Sequence, residues 1–217
     1  ADGQGELVEP AVASRNLMEQ SRFCTLSTEM CEMHHRRKGY PFGSLVDFGV
    51  DRNGLPILCL SSLAPHTRNI MANPRCSLMV QAPGWIGLAN ARLTLIGDAF
   101  PVAPEYRGEA HAIFTKKHGQ RYSQYTLSGN FDFWIMAKVV DAYFVGGFGT
   151  VCWITGQDYL RAQPDAILCD NLHQTLLELN QRFAKHLQEG MPGSEDVHII
   201  SVDRRGVEVK MRVEVKM

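Results

Sequence analysis

Residues 44–60 read Ser44-Leu45-Val46-Asp47-Phe48-Gly49-Val50-Asp51-Arg52-Asn53-Gly54-Leu55-Pro56-Ile57-Leu58-Cys59-Leu60, and the fold turns on them. Val46, Phe48 and Val50 occupy alternate positions, the pattern of a strand with one buried face. Asp51-Arg52-Asn53-Gly54 carries the residue types that reverse a chain between strands. Residues 55–60 are apolar at both parities, as in a strand covered on both sides, and Pro56 is tolerated only at an edge or near the strand start. A hairpin with one central strand follows.

Working outward, Glu9 and Pro10 open an amphipathic helix with Val12, Leu17 and Met18 on its apolar side, and residues 23–28 form a β-branched strand. Ser62 or Pro65 starts a short helix that Asn73-Pro74 stops. Alternation then predicts strands at 76–80, 92–97, 131–136 and 139–145, with a helix over 104–117 ended by Gly119. Six or seven strands with small inserted helices close most economically as a barrel. From 163 to 190 the period becomes helical, with Leu168, Leu172, Leu176, Leu179, Phe183 and Leu187 three or four apart. A strand at 197–202 and a half-buried strand at 207–217 follow. The reading is a mainly β protein with an α+β part: a barrel domain over residues 1–158 and a small α/β domain over 159–217.

Composition narrows the function. The 217 residues carry a net charge of −1, so no one-sided basic field attracts nucleic acid or an anionic membrane. No apolar run reaches the length of a membrane span, so a soluble protein is expected. The opening residues, Ala1–Glu9, have neither a cationic flank nor an apolar h-region, and no signal or transit peptide is expected among them. Six cysteines show no Cys-x-x-Cys pair, and Cys24, Cys59, Cys76 and Cys152 lie in strand-like surroundings. Buried free thiols in a chain with an adequate core point to a reducing compartment.

Several residues could carry chemistry. His66-Thr67-Arg68-Asn69, close to Ser61-Ser62, gathers an imidazole, hydroxyls, an amide and a guanidinium at a helix start, which suits an anion or a capped, solvated helix. Arg92 and Thr94 share a strand face that meets either water or a pocket inside an oligomer. Asp132 shares a face with Trp134 and Met136, at a strand start or placed to bond something specific. The basic run His34–Lys38 reads as a solvated loop able to meet acidic groups, and His111, His118 and His198 read as structural or exposed. His186 follows Leu179 by seven residues and Leu172 by fourteen, which puts it on the apolar side of the long helix; His173 sits at that stripe's edge. Such a histidine is either a packing residue or a ligand for an iron porphyrin.

Three stretches together carry a resemblance: residues 39–46 after Thr25-Leu26-Ser27-Thr28; Leu63-Ala64-Pro65-His66-Thr67-Arg68-Asn69; and Ala91-Arg92-Leu93-Thr94-Leu95-Ile96-Gly97, with Asp132-Phe133 and Gly146-Gly147-Phe148-Gly149. Over roughly residues 10–160 the chain resembles the HugZ-type haem oxygenases and haem-utilisation proteins of the pyridoxamine-phosphate-oxidase-like, FMN-binding split-barrel superfamily. The resemblance implies a homodimer of split β-barrels with cofactor sites at the subunit interface and a small α/β C-terminal domain that helps cover haem. It implies pocket roles for Thr28, His66 and Arg92, and a role for Asp132 in supporting haem breakdown, with an electron donor still to be identified.

One motif departs from that family. Haem-degrading members place Met-Asn-x-Asp-His on the C-terminal helix, whereas the matching run here is Leu179-Asn180-Gln181-Arg182-Phe183. Phenylalanine cannot ligate iron, so ligation moves to another group such as His186 or is absent. This departure resembles the plant plastid members, which places the chain in the chloroplast stroma, with cytoplasm as the alternative. The leading expectation is oxidative haem degradation. The alternatives are a non-enzymatic regulator that binds haem or a tetrapyrrole-biosynthesis enzyme, and an FMN-dependent reductase in which Ser61, Ser62, Thr67 and Arg68 cradle the phosphate.

Overall fold

The computed structural model describes residues 9–33, 35–119, 129–147, 150–191 and 193–213. His34, Phe148, Gly149 and the last four residues of the predicted terminal strand lie outside them. The order is α1 (Pro10–Gln20), β1 (Phe23–Glu29), β2 (Pro41–Val50), β3 (Pro56–Ser61), α2 (Pro65–Ala72), β4 (Arg75–Gln81), β5 (Arg92–Pro101), a 3-10 turn (Pro104–Tyr106) and α3 (Arg107–His118). Then come β6 (Phe131–Val145), β7 (Val151–Thr155), α4 (Gly156–Arg161), α5 (Ala166–Cys169), α6 (Leu172–Gly190), β8 (Ser194–Asp203) and β9 (Gly206–Val213).

The hairpin forms for local reasons. The Asp51 carboxylate accepts from the Asn53 and Leu55 backbone N–H groups at 2.9 and 2.7 Å, and Gly54 takes φ +93°, where a side chain is strained. The strands run antiparallel in the order β3-β2-β1-β4-β5-β6-β7, and β3 also pairs with β6, which closes six strands into a barrel and leaves β7 as an added seventh. Leu26, Leu58, Leu60, Leu78, Leu93, Leu95 and Met136 fill the interior, and α1 plugs one end through Leu17 and Met18. A second core, Ile57, Val102, Ala110, Phe114 and Phe133, lies between the barrel wall and α3.

Two expected strands, 131–136 and 139–145, are one 15-residue strand. Its buried set slips from Trp134 and Met136 to Val139 and back to Ala142 and Phe144, and the pairing with β5 is irregular at Ile96/Gly97 and Asp98/Ala99. A bulge shifts parity without ending a strand, so the alternation looks interrupted although the ladder continues.

The C-terminal part departs from expectation in three places. The single helix over 163–190 is broken at Asp170–Asn171, where Asn171 caps α6 by accepting from the Gln174 N–H; the Leu168–Leu172 spacing runs straight through that break. The strand expected to be half buried is β9, whose side chains from Val207 to Arg212 are exposed apart from partly buried Val209. Helix α6 packs along β8, with Asn180 bonding both the N–H and the C=O of Ile199, and leaves β9 on the flank. The barrel core also continues through Tyr159, Leu160 and Ala162, past the residue where the sequence pattern changes.

Arg15 joins these parts. It is 1 % exposed, its Nη1 donates to the carbonyls of Asn53 and Ala162 at 3.1 and 2.7 Å, and it faces the Tyr159 ring at 5.5 Å. The Tyr159 hydroxyl donates to the Gly54 carbonyl at 2.8 Å. A Cβ at Gly54 would lie 2.5 Å from Arg15 Cζ. Gly54→Ala should therefore cost about 2–4 kcal/mol from backbone strain and overlap, and Tyr159→Phe about 1–2 kcal/mol from the carbonyl left unpaired. Urea unfolding midpoints check both; unchanged midpoints would show that the junction tolerates disruption.

Candidate functional site

Helix α2 begins at Pro65, whose missing N–H is no loss at a first turn, after an extended Ala64. Asn69, fully buried, clips the helix to the barrel. Its Oδ1 accepts from the Cys31 N–H at 3.1 Å, and its Nδ2 donates to Thr28 Oγ1 at 3.0 Å. Thr28 in turn donates to the Phe42 carbonyl at 3.4 Å, so its hydroxyl is engaged within the fold.

His66 Nδ1 lies 3.0 Å from Ser44 Oγ, which also lies 3.5 Å from the Leu26 carbonyl. If Ser44 donates to that carbonyl, Nδ1–H donates to Ser44 and Nε2 keeps its lone pair; if Ser44 donates to Nδ1, Nε2 carries the proton. Either way Nε2 has no protein partner among the described residues. Burial lowers the His66 pKa, which favours the neutral ring. Arg68, half buried on the next position but one, makes no side-chain hydrogen bond or ion pair among the described residues and is available to an anion.

Asp132 stands near the start of β6, opposite Leu60 on β3 and bonded to α3. Its Oδ2 accepts from Arg107 Nη2 at 2.6 Å and its Oδ1 from the Phe133 N–H at 2.9 Å. Next to it, Cys59 is pushed up to about 12 by burial and then by the charges of Asp132 and Asp47. Two members of the expected phosphate cradle are engaged internally: Thr67 Oγ1 donates to the Ser61 carbonyl at 2.6 Å, and Ser61 Oγ accepts from the Leu63 N–H.

The chain thus gathers Thr28, His66 and Arg68 around α2 and holds Asp132 at the start of β6 through Arg107 of α3, while Arg92 and His186 lie elsewhere. Register puts Ser44 in one layer with Leu26, Leu78 and Leu95, whereas Arg92 sits three residues further along β5, about 10 Å away, and donates to the Leu88 carbonyl. His186, expected on the apolar stripe, is exposed, with its ring edge-on to Phe183 at 6.4 Å. The edge of α6 that β8 covers runs through Leu176, Asn180 and Leu187, and His186 falls outside it. His118 is structural as expected, buried with Nε2 2.8 Å from the Phe48 carbonyl. All six cysteines are free; Cys24 and Cys76 are buried, and Cys59 and Cys152 are partly buried.

Sequence reading missed a cavity of about 740 Å³ on the other flank of the barrel, between the α1 end, α3 and the α6/β8–β9 unit. Lys117 lines it, with Nζ donating to the Met18 carbonyl at 2.5 Å and lying 4.1 Å from the centre of the Phe48 ring. Its signal was a lysine four residues after Ile113 and three after Phe114, on the apolar side of α3.

A model of the CREG β-barrel family matches residues 6–161. The chain belongs to that family. Among relatives, it is 34 % identical to a chloroplastic heme oxygenase of Arabidopsis thaliana, HOZ, over 74 % of this chain and 49 % of the relative. It is 28 % identical to the chloroplastic glutamyl-tRNA reductase-binding protein of the same plant, over 73 % and 44 %. The chain therefore spans about half the length of the curated relatives it matches. A solved heme binding protein from Mycobacterium smegmatis superposes with TM-score 0.64 at 27 % identity, covering 94 % of this chain and 88 % of that one. The CREG-family barrel and these likenesses agree with the HugZ-type, split-barrel resemblance carried by the sequence. Among the described residues no helix is long and apolar enough to cross a membrane.

Two outcomes test this geometry. Asn69→Ala should destabilise by about 2–3 kcal/mol, since it strands a backbone N–H, whereas Thr28→Val should cost about 1 kcal/mol; denaturant titration reads both. Burial pushes the Lys117 pKa down to about 8, below its unfolded value near 10.4, so the fold favours the neutral amine. Stability should rise as pH rises from about 8 toward 10, and Lys117→Met should flatten that slope in thermal melts.

Proposed function

We propose that this chain binds haem beside α2 and degrades it oxidatively, as a homodimer. The observation that carries the reading is His66: a neutral imidazole, oriented through Nδ1 by Ser44, with Nε2 left unbonded. The residues fit the group, because an iron porphyrin would need from the protein a nitrogen ligand and cations for its carboxylates. Arg68 offers the unpaired guanidinium, and the basic loop residues Arg36 and Arg37, eight and seven residues before Ser44, are exposed. Bound haem would supply the redox chemistry with oxygen or peroxide. The chain would orient it through His66, pair its carboxylates through Arg68, and hold the Asp132 carboxylate in place through Arg107.

In this reading the subunit interface is the outer face of the barrel. Leu45, Thr25, Met79, Thr94, Tyr143 and Trp153 form one register row across six strands on that face. Leu45 and Trp153 are 69 % and 64 % exposed in the single chain, an apolar row that a second copy would cover. Arg92 shares the Thr94 face, which supports a position for it in that interface. His66 is the iron-facing imidazole in this reading, with His186 its competitor. The likeness to two chloroplastic relatives supports residence in a plastid.

A second reading, regulation by contact with a tetrapyrrole-pathway enzyme, is supported by the exposed apolar side chains of β9 and α6 and by the glutamyl-tRNA reductase-binding relative. Flavin is less well supported, since Thr67 and Ser61 are already engaged.

Haem titrated into purified protein should give a saturable Soret band, which bleaches and releases iron on addition of peroxide or a reductant with oxygen. His66→Ala should shift or abolish the band while His186→Ala leaves it; the reverse result moves the ligand to α6, and no band with either wild type or variants defeats the reading. Trp153→Asp should convert the dimer to monomer in light-scattering measurements.

A further inference from the structure

The cavity of about 740 Å³ is of the size that takes a cofactor or drug-sized ligand. Its walls come from two units. Val50 and Ile113 stand on the barrel side, Leu176 and Ile200 on the C-terminal side, so a ligand between them meets apolar side chains on two faces. The β4–β5 loop roofs it: Gly84, at φ +70°, packs so closely on Ile200 that a Cβ there would collide with the Ile200 Cδ1, and Trp85 follows in the wall.

The charge in the walls is unevenly matched. Arg22, Arg52 and Lys210 line the cavity and make no side-chain hydrogen bond or ion pair among the described residues. Arg15, almost wholly buried, also lines it, and its Nε is buried with no hydrogen-bond partner. Of the acids there, Asp51 is engaged by the hairpin turn, burial raises the Glu19 pKa, which opposes its ionisation, and Glu109 and Asp170 are exposed, so six Lys and Arg side chains face four carboxyls. His198 Nδ1 is within 3.4 Å of Asp196 and faces the same space, beside Lys210 in register. An excess of cations around an apolar slot selects a ligand that is apolar on its faces and anionic at its edge.

We propose that this cavity is a second binding site, separate from α2, for a flat apolar molecule bearing carboxylates, held by charge and apolar contact without a metal bond. The site stands on the cavity alone; the choice of a tetrapyrrole as its probe rests on the haem reading. Both intact and ring-opened tetrapyrrole acids share this chemistry.

The test uses the full chain with Trp134→Phe and Trp153→Phe, which leaves Trp85 as the fluorescent reporter. Titration with metal-free protoporphyrin IX should quench Trp85 saturably with one molecule per chain, and biliverdin in a parallel titration tells which ring form binds more tightly. Lys210→Glu and Leu176→Phe should each weaken binding about tenfold, the first by charge and the second by filling the slot. His66→Ala should leave it unchanged while altering the haem Soret band, so failure of either site is seen separately. The same variants with all tryptophans retained, read by porphyrin absorbance, serve if the reporter protein does not fold. Absence of saturable binding of either tetrapyrrole, insensitivity to both cavity variants, or loss of binding in His66→Ala would overturn the proposal.

Discussion

The arrangement depends on a buried guanidinium. Arg15 projects from α1 into the gap between the β2–β3 turn and the segment that follows α4, and bonds a carbonyl of each. A fully buried cation is costly unless carbonyls and a ring face receive it, and here Asn53, Ala162 and Tyr159 do so. That requirement explains Gly54, whose missing side chain leaves room for the guanidinium. It also explains why α4 belongs with the barrel: without it, Arg15 keeps only the Asn53 carbonyl of these three partners.

From this junction the two flanks of the barrel diverge. On one, α2 is held by Asn69 and Thr67, which leaves the imidazole of His66 and the guanidinium of Arg68 with capacity for a ligand. On the other, α1 and α3 lean toward the C-terminal unit, which is tethered by Asn16 and Gln20 bonding Asp165 and the Val202 carbonyl. The space between them is the cavity. Lys117 and Glu19, partly buried in its wall, interact by charge, and each opposes the desolvation that burial imposes on the other.

Much of this was legible beforehand and some was not. The hairpin at 44–60 and the helix around His66 follow from period, turn chemistry and proline, which act within a few residues. The merged β6 did not, because two bulges shift which parity faces the core. The exposure of His186 and β9 did not either: both positions have the right spacing for burial, but a spacing states which side chains share a face and says nothing of whether anything covers that face.

The sequence by itself determined the local elements, the barrel class and the family likeness, since these depend on patterns that short segments carry and on near neighbours in the chain. Only the tertiary structure decided which polar groups are already engaged, as with Thr28 and Thr67, and which are left available, as with Arg68 and Lys210. It also decided that Arg15, Lys117 and His198, separated by roughly a hundred residues or more in part of the chain, line one cavity. Such availability is a property of partners brought together by closure of the sheet and docking of the C-terminal unit, and partners distant in sequence leave no periodic trace.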